Sequence, residues 1–229
     1  MIRSITIALF ALAACGGDEG TTIDAPNVPA TINVSGSASA IGLGGRDPVE
    51  GVVVEAYREG ESTAVSMATS AADGTFTVVV QTGGVPLDGY LLAKHSPHKN
   101  TYLYPPAPLI ADTNAATVLL LTQQTFDAVE ALTRVTQDAA KGWIGIMVVD
   151  AANMPVAGAT VSSTPAGVVK YNASGAPSET AVMTDTDGIA FIFNVGPGTV
   201  NVSASKAGST FRPHPLQARA GEITTTLVQ

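Results

Sequence analysis

A short sequence pattern that occurs twice constrains this chain more than any other feature. The clearer copy, residues 155–161, reads Pro-Val-Ala-Gly-Ala-Thr-Val and is followed by Asp-Gly at 187–188. The other copy, residues 48–54, reads Pro-Val-Glu-Gly-Val-Val-Val and is followed by Asp-Gly at 73–74. Each copy predicts a turn, a strand and a later hairpin, because Gly tolerates the positive φ that such turns need. The repetition predicts that the same fold occurs twice.

The composition of the chain favours many short strands over a bundle of helices. Of the 229 residues, 23 are Gly and 14 are Pro, and only 5% are aromatic. Frequent turn residues between short apolar segments are typical of β-sandwiches. The net charge is −8 and the 11 basic residues are scattered, whereas a nucleic-acid interface needs clustered Lys and Arg. We therefore expect no nucleic-acid partner.

The N-terminal segment, residues 1–14, has the features of a secretory signal. Arg3 precedes an apolar run at 5–12, which is shorter than the roughly 20 residues that span a membrane. The run ends in Leu-Ala-Ala-Cys at 12–15, which resembles a bacterial lipobox. This resemblance implies cleavage before Cys15 and attachment of lipid to Cys15, so that the membrane is a partner. The alternative is an ordinary secretory signal with an incidental cysteine.

A polar segment rich in Gly and Pro follows, and residues 15–30 are predicted to form a flexible tether. Gly16, rather than Asp, follows Cys15, and by resemblance to the lipoproteins of enteric bacteria this favours the outer membrane. The predicted location is therefore the bacterial cell envelope. Because Cys15 is the one cysteine of the chain, we expect neither an internal disulfide nor a cysteine-based metal site.

Alternating and β-branched segments predict about seven strands within residues 31–122. The strongest of them is Thr-Phe-Thr-Val-Val-Val-Gln at 75–81. This first half carries one copy of the repeated pattern and ends with the apolar run Val-Leu-Leu-Leu at 118–121. The pattern of short strands and close turns favours a β-sandwich.

A helix is predicted within residues 123–141, between the two copies of the pattern. Thr125 can cap its first turn, and apolar residues recur at three-residue steps from Phe126 to Val135, which places them on one stripe. We expect this stripe, which includes Leu132, to pack on the sandwiches and to fix their relative orientation. A helix that binds a partner is the alternative.

The second half, residues 142–229, resembles a known family. The carrying segments are Val-Val-Asp-Ala-Ala-Asn-Met-Pro-Val-Ala-Gly-Ala-Thr-Val at 148–161, Thr-Asp-Thr-Asp-Gly at 184–188 and Phe-Ile-Phe-Asn-Val-Gly-Pro-Gly-Thr-Val-Asn-Val-Ser-Ala at 191–204. They are similar to the carboxypeptidase regulatory-like domain. The resemblance implies a seven-stranded, transthyretin-like β-sandwich that is not catalytic. The first half shares only the Pro-Val-x-Gly and Asp-Gly elements.

The fold class that follows is all-β. We predict two tandem seven-stranded transthyretin-like β-sandwiches, over residues 31–122 and 142–229, joined by a short helix. A signal peptide and a flexible tether precede them.

Candidate ligand-binding residues lie in two segments. Residues 94–108 combine histidines, tyrosines and prolines, and Pro disfavours a central strand; residues 165–179 form a polar loop. Tyr offers a large, rigid and amphipathic contact surface. The alternative for the first segment is an edge strand whose tyrosines cover one end of the core. The candidates are His95, His98, Tyr102, Tyr104 and Tyr171.

No metal, cofactor or catalytic site is expected. Pro97 between the two histidines argues against a helix, and the Glu of a zinc hydrolase motif is missing. Asp185-x-Asp187 has too few later oxygen ligands for a Ca²⁺ loop and predicts an ordinary turn. His214 stands between two prolines, without a pattern around a nucleophile. The chain also ends in Thr-Leu-Val-Gln, unlike the Tyr-Arg-Gly-Ser end of transthyretin-like hydrolases.

Two hypotheses about function follow. The first is a non-catalytic envelope lipoprotein whose sandwiches bind a carbohydrate or a protein partner at the cell surface. The second is a structural spacer, or a subunit of an envelope assembly, that binds no ligand. Fold alone does not decide between them.

Overall fold

The structure is a computed structural model that describes residues 27–42 and 45–229. The predicted signal peptide at 1–14, Cys15 and most of the predicted tether lie outside the described residues. In the described part, the structure has sixteen strands and one helix. It is therefore mostly β, as the composition predicts.

The strands divide evenly between the two halves of the chain. The first half contains β1 (Thr31–Gly42), β2 (Gly45–Pro48), β3 (Val53–Arg58), β4 (Ser66–Thr69), β5 (Thr75–Gln81), β6 (Gly89–Lys94), β7 (Thr101–Tyr104) and β8 (Thr113–Leu120). The helix α1 (Gln123–Thr133) follows. The second half contains β9 (Gly142–Val148), β10 (Thr160–Thr164), β11 (Val168–Ala173), β12 (Ala176–Ser178), β13 (Ile189–Val195), β14 (Gly198–Ser205), β15 (His214–Ala218) and β16 (Ile223–Val228).

The first half is a sandwich of two sheets. In one layer, β1 pairs antiparallel with β2 and β5 and parallel with β8. The facing layer has the strand order β7-β6-β3-β4. Alternate residues of the strands point inward, and fully buried side chains such as Val34, Val54, Val78 and Val118 fill the core.

The second half is also a sandwich. The three-stranded sheet β10-β14-β15 faces a layer with the order β12-β11-β13-β9-β16. Buried side chains from both layers, among them Ile146, Ile192, Val202 and Leu216, form the second core.

The last strand, β16, joins the two sandwiches into one sheet. It pairs parallel with β7 of the first half, where Ile223 lies opposite Thr101, and parallel with β9 of the second half, where Ile223 lies opposite Trp143. The result is a continuous nine-stranded sheet. Since successive side chains alternate between faces, Leu103 packs on the first core and Tyr104 in the second. The two covering layers therefore lie on opposite faces of this sheet.

Each half contains eight strands rather than the predicted seven. In the first half, the additional short strand β2 forms a hairpin with β1. In the second half, residues 165–179, predicted to be a loop, include the hairpin β11-β12. Ser174 (φ 52°) and Gly175 (φ 79°) form its tip, and β11 pairs with β13. The polar composition of this segment reflects a hairpin at the edge of the sheet, where side chains are partly solvated.

The helix α1 starts earlier and ends earlier than predicted. The side chain of Thr122, not that of Thr125, caps it by accepting a hydrogen bond from Thr125 N at 3.2 Å. The helix ends at Thr133 because Arg134 adopts the left-handed conformation (φ 55°).

Only part of the expected apolar stripe of α1 faces the protein. Phe126 is buried and meets Trp143 edge to face, with ring centroids 5.7 Å apart, whereas Leu132 is 47% exposed. The relative orientation of the sandwiches therefore depends on the shared sheet as well as on the helix. None of the helical structure in residues 27–42 and 45–229 is long and apolar enough to cross a membrane.

In the second half, the repeated sequence pattern is held by a buried hydroxyl. Thr184 Oγ1 accepts a hydrogen bond from Ala159 N at 2.9 Å and donates one to Val156 O at 2.7 Å. The following Asp-Gly turn places Gly188 at φ +68°, where an added Cβ would lie 2.6 Å from Val148 O. Glycine is therefore required there both by conformation and by space.

The first half builds the same network with different residues. Ser70 Oγ accepts a hydrogen bond from Val52 N at 2.9 Å and donates one to Val49 O at 2.7 Å. Gly74 (φ +78°) takes the place of the second glycine, and its added Cβ would lie 2.6 Å from Ala38 O. The repeated pattern thus forms the same local structure twice.

Removing the buried hydroxyl of Thr184 is expected to destabilise the protein. Thr184→Val keeps the shape of the side chain but leaves a backbone N–H and a C=O without their partner, at a cost of about 1–3 kcal/mol. Thr186→Val, at an exposed position of the same turn, is the matched control and should change the free energy of unfolding little. Urea denaturation of the three proteins measures the effect. Equal midpoints for the two variants would show that the hydroxyl does not hold this pattern.

Candidate functional site

The nine-stranded sheet carries four tyrosines on one face of its first half. Tyr57 of β3 lies opposite Tyr90 of β6, and their rings stack with centroids 5.2 Å apart and planes at 11°. The ring of Tyr90 also stacks on that of Tyr104 (5.1 Å, 29°) and lies 5.6 Å from the tilted ring of Tyr102. We call these four side chains the tyrosine row. Aromatic pairs at such distances attract one another beyond simple burial.

Arg219, which follows β15, ties the tyrosine row to the second half of the chain. Its guanidinium carbon lies 3.8 Å from the ring centroid of Tyr102 and 4.7 Å from that of Tyr90. Its Nη2 donates a hydrogen bond to the hydroxyl of Tyr104 at 3.2 Å. Because a cation over an aromatic face is attracted by about 0.5–2 kcal/mol, these contacts hold Arg219 in place.

Charged and amide side chains border the tyrosine row. Glu55 accepts hydrogen bonds from the Tyr57 hydroxyl and from Lys94 Nζ, each at 2.7 Å. On the other side, Gln217 of β15 donates a hydrogen bond to Glu59 at 3.2 Å. The side chain of Lys94 remains 42% exposed. The row therefore presents aromatic rings, a carboxylate and an ammonium group within one surface.

Electrostatics fix the protonation states at the outer end of the row. Burial disfavours the charge of Glu55, but the hydrogen bonds from Lys94 and Tyr57 outweigh it and lower the pKa of Glu55. The hydrogen bond to Glu55, with burial adding to it, raises the pKa of Tyr57 to about 12. At neutral pH, Tyr57 is therefore a hydrogen-bond donor and Glu55 is a carboxylate.

The inner end of the row is more deeply buried. Burial raises the pKa of Tyr104 to about 12, although the hydrogen bond from Arg219 acts in the opposite direction. Burial also raises the pKa of Tyr102. For Arg219 burial disfavours the charge, but the hydrogen bond to Tyr104 outweighs it, so the pKa of Arg219 is raised. Arg219 is the fixed positive charge of this surface.

The segment 94–108 is less of a loop than the sequence indicates. Thr101–Tyr104 is strand β7, and it lies inside the nine-stranded sheet because β16 pairs along its outer edge. Tyr102 is half-buried, and Tyr104 is only 4% exposed. Both predicted tyrosines thus belong to the tyrosine row. Tyr104 also packs in the second core, but β7 is not the edge strand that the alternative interpretation assumed.

His95 and His98 lie at another place on the same segment. Their Nδ1 atoms are 3.1 Å apart, so one donates a hydrogen bond to the other. Burial, followed by the proximity of His95, lowers the pKa of His98. In the described residues, no ring contact or hydrogen bond joins the two histidines to the tyrosine row.

Tyr171, the fifth predicted residue, lies in the second core. It is 5% exposed, and its hydroxyl accepts a hydrogen bond from Val161 N at 2.9 Å. Its side chain is therefore used for packing in β11 and offers little surface to a ligand.

The acidic turn at Asp185 and Asp187 is engaged by its own neighbours. Asp185 accepts hydrogen bonds from Ser174 N (2.6 Å) and Thr186 N (2.7 Å), and Asp187 accepts one from Asn172 (2.7 Å). Across the described ranges, no three His, Cys, Asp or Glu side chains are grouped so that they could hold a metal ion together.

Sequence reasoning missed two residues of the tyrosine row, Tyr57 and Tyr90, and also missed Arg219 beside it. The alternation in β3 does place Glu55 and Tyr57 on the face opposite the buried Val54 and Ala56. The sequence could therefore have predicted that these two side chains share a face. The contact with Arg219 has no local signal, because it depends on the pairing of β16 with β7.

Comparisons with known proteins give only distant likenesses. No protein-family model matches this chain, and no curated protein matches it. Among solved structures, the Bacillus anthracis TIE protein is 16% identical with a TM-score of 0.27, and the match covers 87% of this chain and 34% of that one. The shaft pilin SpaA of Lactobacillus rhamnosus GG is 12% identical (TM-score 0.26; 86% and 97% covered). The minor pilin of Streptococcus agalactiae is 11% identical (TM-score 0.27; 86% and 94% covered).

With TM-scores this low, the likeness supports neither a family nor a function for this chain. The match to the TIE protein also spans only about a third of that protein. The resemblance of the second half to the carboxypeptidase regulatory-like domain therefore stays a prediction.

Alkaline pH is expected to destabilise the protein partly through Tyr104. The folded state raises the pKa of Tyr104 to about 12, whereas in unfolded chains a tyrosine titrates near about 10. The unfolded state therefore loses this proton first, so the stabilisation is complete below about pH 10 and is lost as the pH rises towards about 12, at up to about 1.4 kcal/mol per pH unit. Urea denaturation at several pH values should show a shallower decline for Tyr104→Phe. Parallel declines in the variant and the wild type would contradict this assignment.

Proposed function

We propose that this protein is a non-catalytic lipoprotein of the bacterial cell envelope that binds carbohydrate on the tyrosine row. One observation carries the proposal: at the outer end of the row, Tyr57 is only partly buried, whereas Val54 and Ala93 on the opposite face of the sheet are fully buried. An aromatic side chain that its own protein leaves partly uncovered is a candidate contact surface.

The chemistry of the row fits a sugar. A pyranose ring has an apolar face of C–H groups and a rim of hydroxyls, so it needs an aromatic face with hydrogen-bonding groups beside it. In the described residues, Tyr57 stacks on one other ring, that of Tyr90, and its outer ring face stands at the end of the row. Glu55 accepts hydrogen bonds and Lys94 donates them at the same end.

The proposed location rests on the sequence. The lipobox-like Leu-Ala-Ala-Cys at 12–15 supports a lipid anchor on Cys15, and Gly16 after it supports the outer membrane. A single acyl chain anchors weakly, and several chains are needed for stable attachment. The tether at 15–30 would hold the sandwiches away from the bilayer surface.

The proposal that the protein is not an enzyme rests on the resemblance of residues 142–229 to a non-catalytic domain. The protonation states of the tyrosine row fit this view, because Tyr57 and Tyr104 titrate only near pH 12. A general base for catalysis works best with a pKa near the operating pH.

A rigid spacer is the second candidate function. The observation in its favour is the pairing of β16 with both β7 and β9. Through this pairing the two sandwiches share one continuous sheet. A spacer of this kind keeps a fixed length between its ends, whereas domains joined by a flexible linker move independently.

Replacing Tyr57 is expected to weaken glycan binding selectively. Tyr57→Ala removes the outer ring face and should reduce affinity by about tenfold, which corresponds to about 1.4 kcal/mol. Tyr57→Phe, the matched control, keeps the ring and loses only the hydrogen bond to Glu55. A glycan and peptidoglycan array read with the wild type and both variants measures the difference. If the wild type binds no glycan above background, the carbohydrate proposal is wrong and the spacer remains.

Lipidation is expected to depend on Cys15 alone. Cells grown with an acyl-chain probe should label the wild-type protein and leave Cys15→Ala unlabelled, and the variant should leave the membrane fraction. Equal labelling of the two proteins, or none in the wild type, would show that the envelope anchor has been assigned to the wrong residue.

A further inference from the structure

The two histidines of the segment between β6 and β7 have their Nδ1 atoms at a separation that would suit two ligands of one metal ion. His95 Nδ1 and His98 Nδ1 are 3.1 Å apart. Two nitrogens that bind one metal at about 2.0–2.1 Å are separated by about 2.9 Å at a right angle and about 3.3 Å at the tetrahedral angle. The observed separation falls between these values.

We propose that His95 and His98 chelate a divalent transition-metal ion, with Cu²⁺ bound most tightly. Imidazole nitrogens suit Zn²⁺, Ni²⁺ and Cu²⁺, and among these ions a given nitrogen site binds Cu²⁺ most strongly. Both residues are partly exposed. Water or an external ligand can therefore complete the coordination, since the described residues place no third His, Cys, Asp or Glu beside the pair.

The backbone around the pair is already ordered. His98 N donates a hydrogen bond to His95 O at 2.7 Å, which closes a turn between the two residues. His98 also forms a β-bridge with Thr122, and Lys99 N donates to Leu121 O at 2.9 Å. Binding an ion would therefore order little additional chain, and preorganisation of this kind favours affinity.

The lysines on either side of the pair have partners of their own. Lys94 Nζ lies 2.7 Å from Glu55, and Lys99 Nζ lies over the ring of Phe126, 5.1 Å from its centroid. Both ammonium groups are thus engaged with other side chains, and their charges are partly compensated there.

The proton between the two Nδ1 atoms is the competitor of the metal. In the hydrogen bond, one Nδ1 carries a proton and the other accepts it. When the ion binds, the donor histidine changes tautomer: its Nδ1 gives up the proton and its Nε2 takes one up from solvent, so both rings stay neutral and both Nδ1 lone pairs face the ion.

The test is a titration of the full chain with Cu²⁺, followed by calorimetry and by electron paramagnetic resonance. We expect one ion per chain and a spectrum with coupling to two imidazole nitrogens. His95→Gln and His98→Gln should each weaken Cu²⁺ binding by about tenfold or more. Replacing a residue that only hydrogen-bonds a metal ligand can already reduce metal affinity by this amount. His214 belongs to β15 and lies against the ring of Tyr104. His214→Gln is therefore the matched control and should bind Cu²⁺ as the wild type does.

A thermal unfolding readout separates loss of the site from loss of the fold. Bound metal stabilises the folded state by mass action, so Cu²⁺ should raise the melting temperature of the wild type and of His214→Gln but not of the two site variants. The metal-free proteins should all melt alike. The proposal is overturned if the wild type takes up no ion, or if the double variant of His95 and His98 binds Cu²⁺ as tightly as the wild type.

Discussion

Strand β16 uses both of its edges for hydrogen bonding, and the arrangement of the two sandwiches depends on it. On one edge it pairs with β7 and on the other with β9, both in parallel register. A free edge on β7 or on β9 could pair with another chain and cause unwanted association. The joint, which is the pairing of β16 with both strands, covers these edges. It also places Arg219, which precedes β16, over Tyr102 and Tyr90, so the inner end of the tyrosine row lies where the two repeats meet.

The repeated pattern and the joint have different physical roles. The hydroxyls of Ser70 and Thr184, each bound to one N–H and one C=O, satisfy backbone groups within a repeat. A buried backbone group without a partner is costly, which explains why a polar side chain occurs at this position in both copies. The joint acts between repeats, where pairing along β16 decides which tyrosines stay in contact with solvent.

Local features could be predicted from the sequence, and long-range pairing could not. The strand at 75–81 was predicted with the bounds that the structure shows, because alternation and a flanking Asp-Gly turn are local signals. Alternation tells which face a residue occupies, but not which strand lies beside it. Tyr102 was identified as a candidate from the composition of its own segment, whereas Arg219, which lies over its ring, was not. The prolines after Tyr104 favoured a loop, although they only mark where β7 ends.

The order of strands in the repeats bears on how such a joint could propagate. β15 precedes β16 as β7 precedes β8, so β15 is the counterpart of β7 in the second repeat. Since β7 is the strand on which the second repeat docks, β15 is the position where a further repeat, or another copy of the chain, would dock. The carbonyl of Gln217 in β15 accepts hydrogen bonds from the side chains of Thr224 and Arg219. Pro215, two residues earlier, faces the same outer edge and has no N–H to offer. This blunted edge disfavours the addition of another strand at β15.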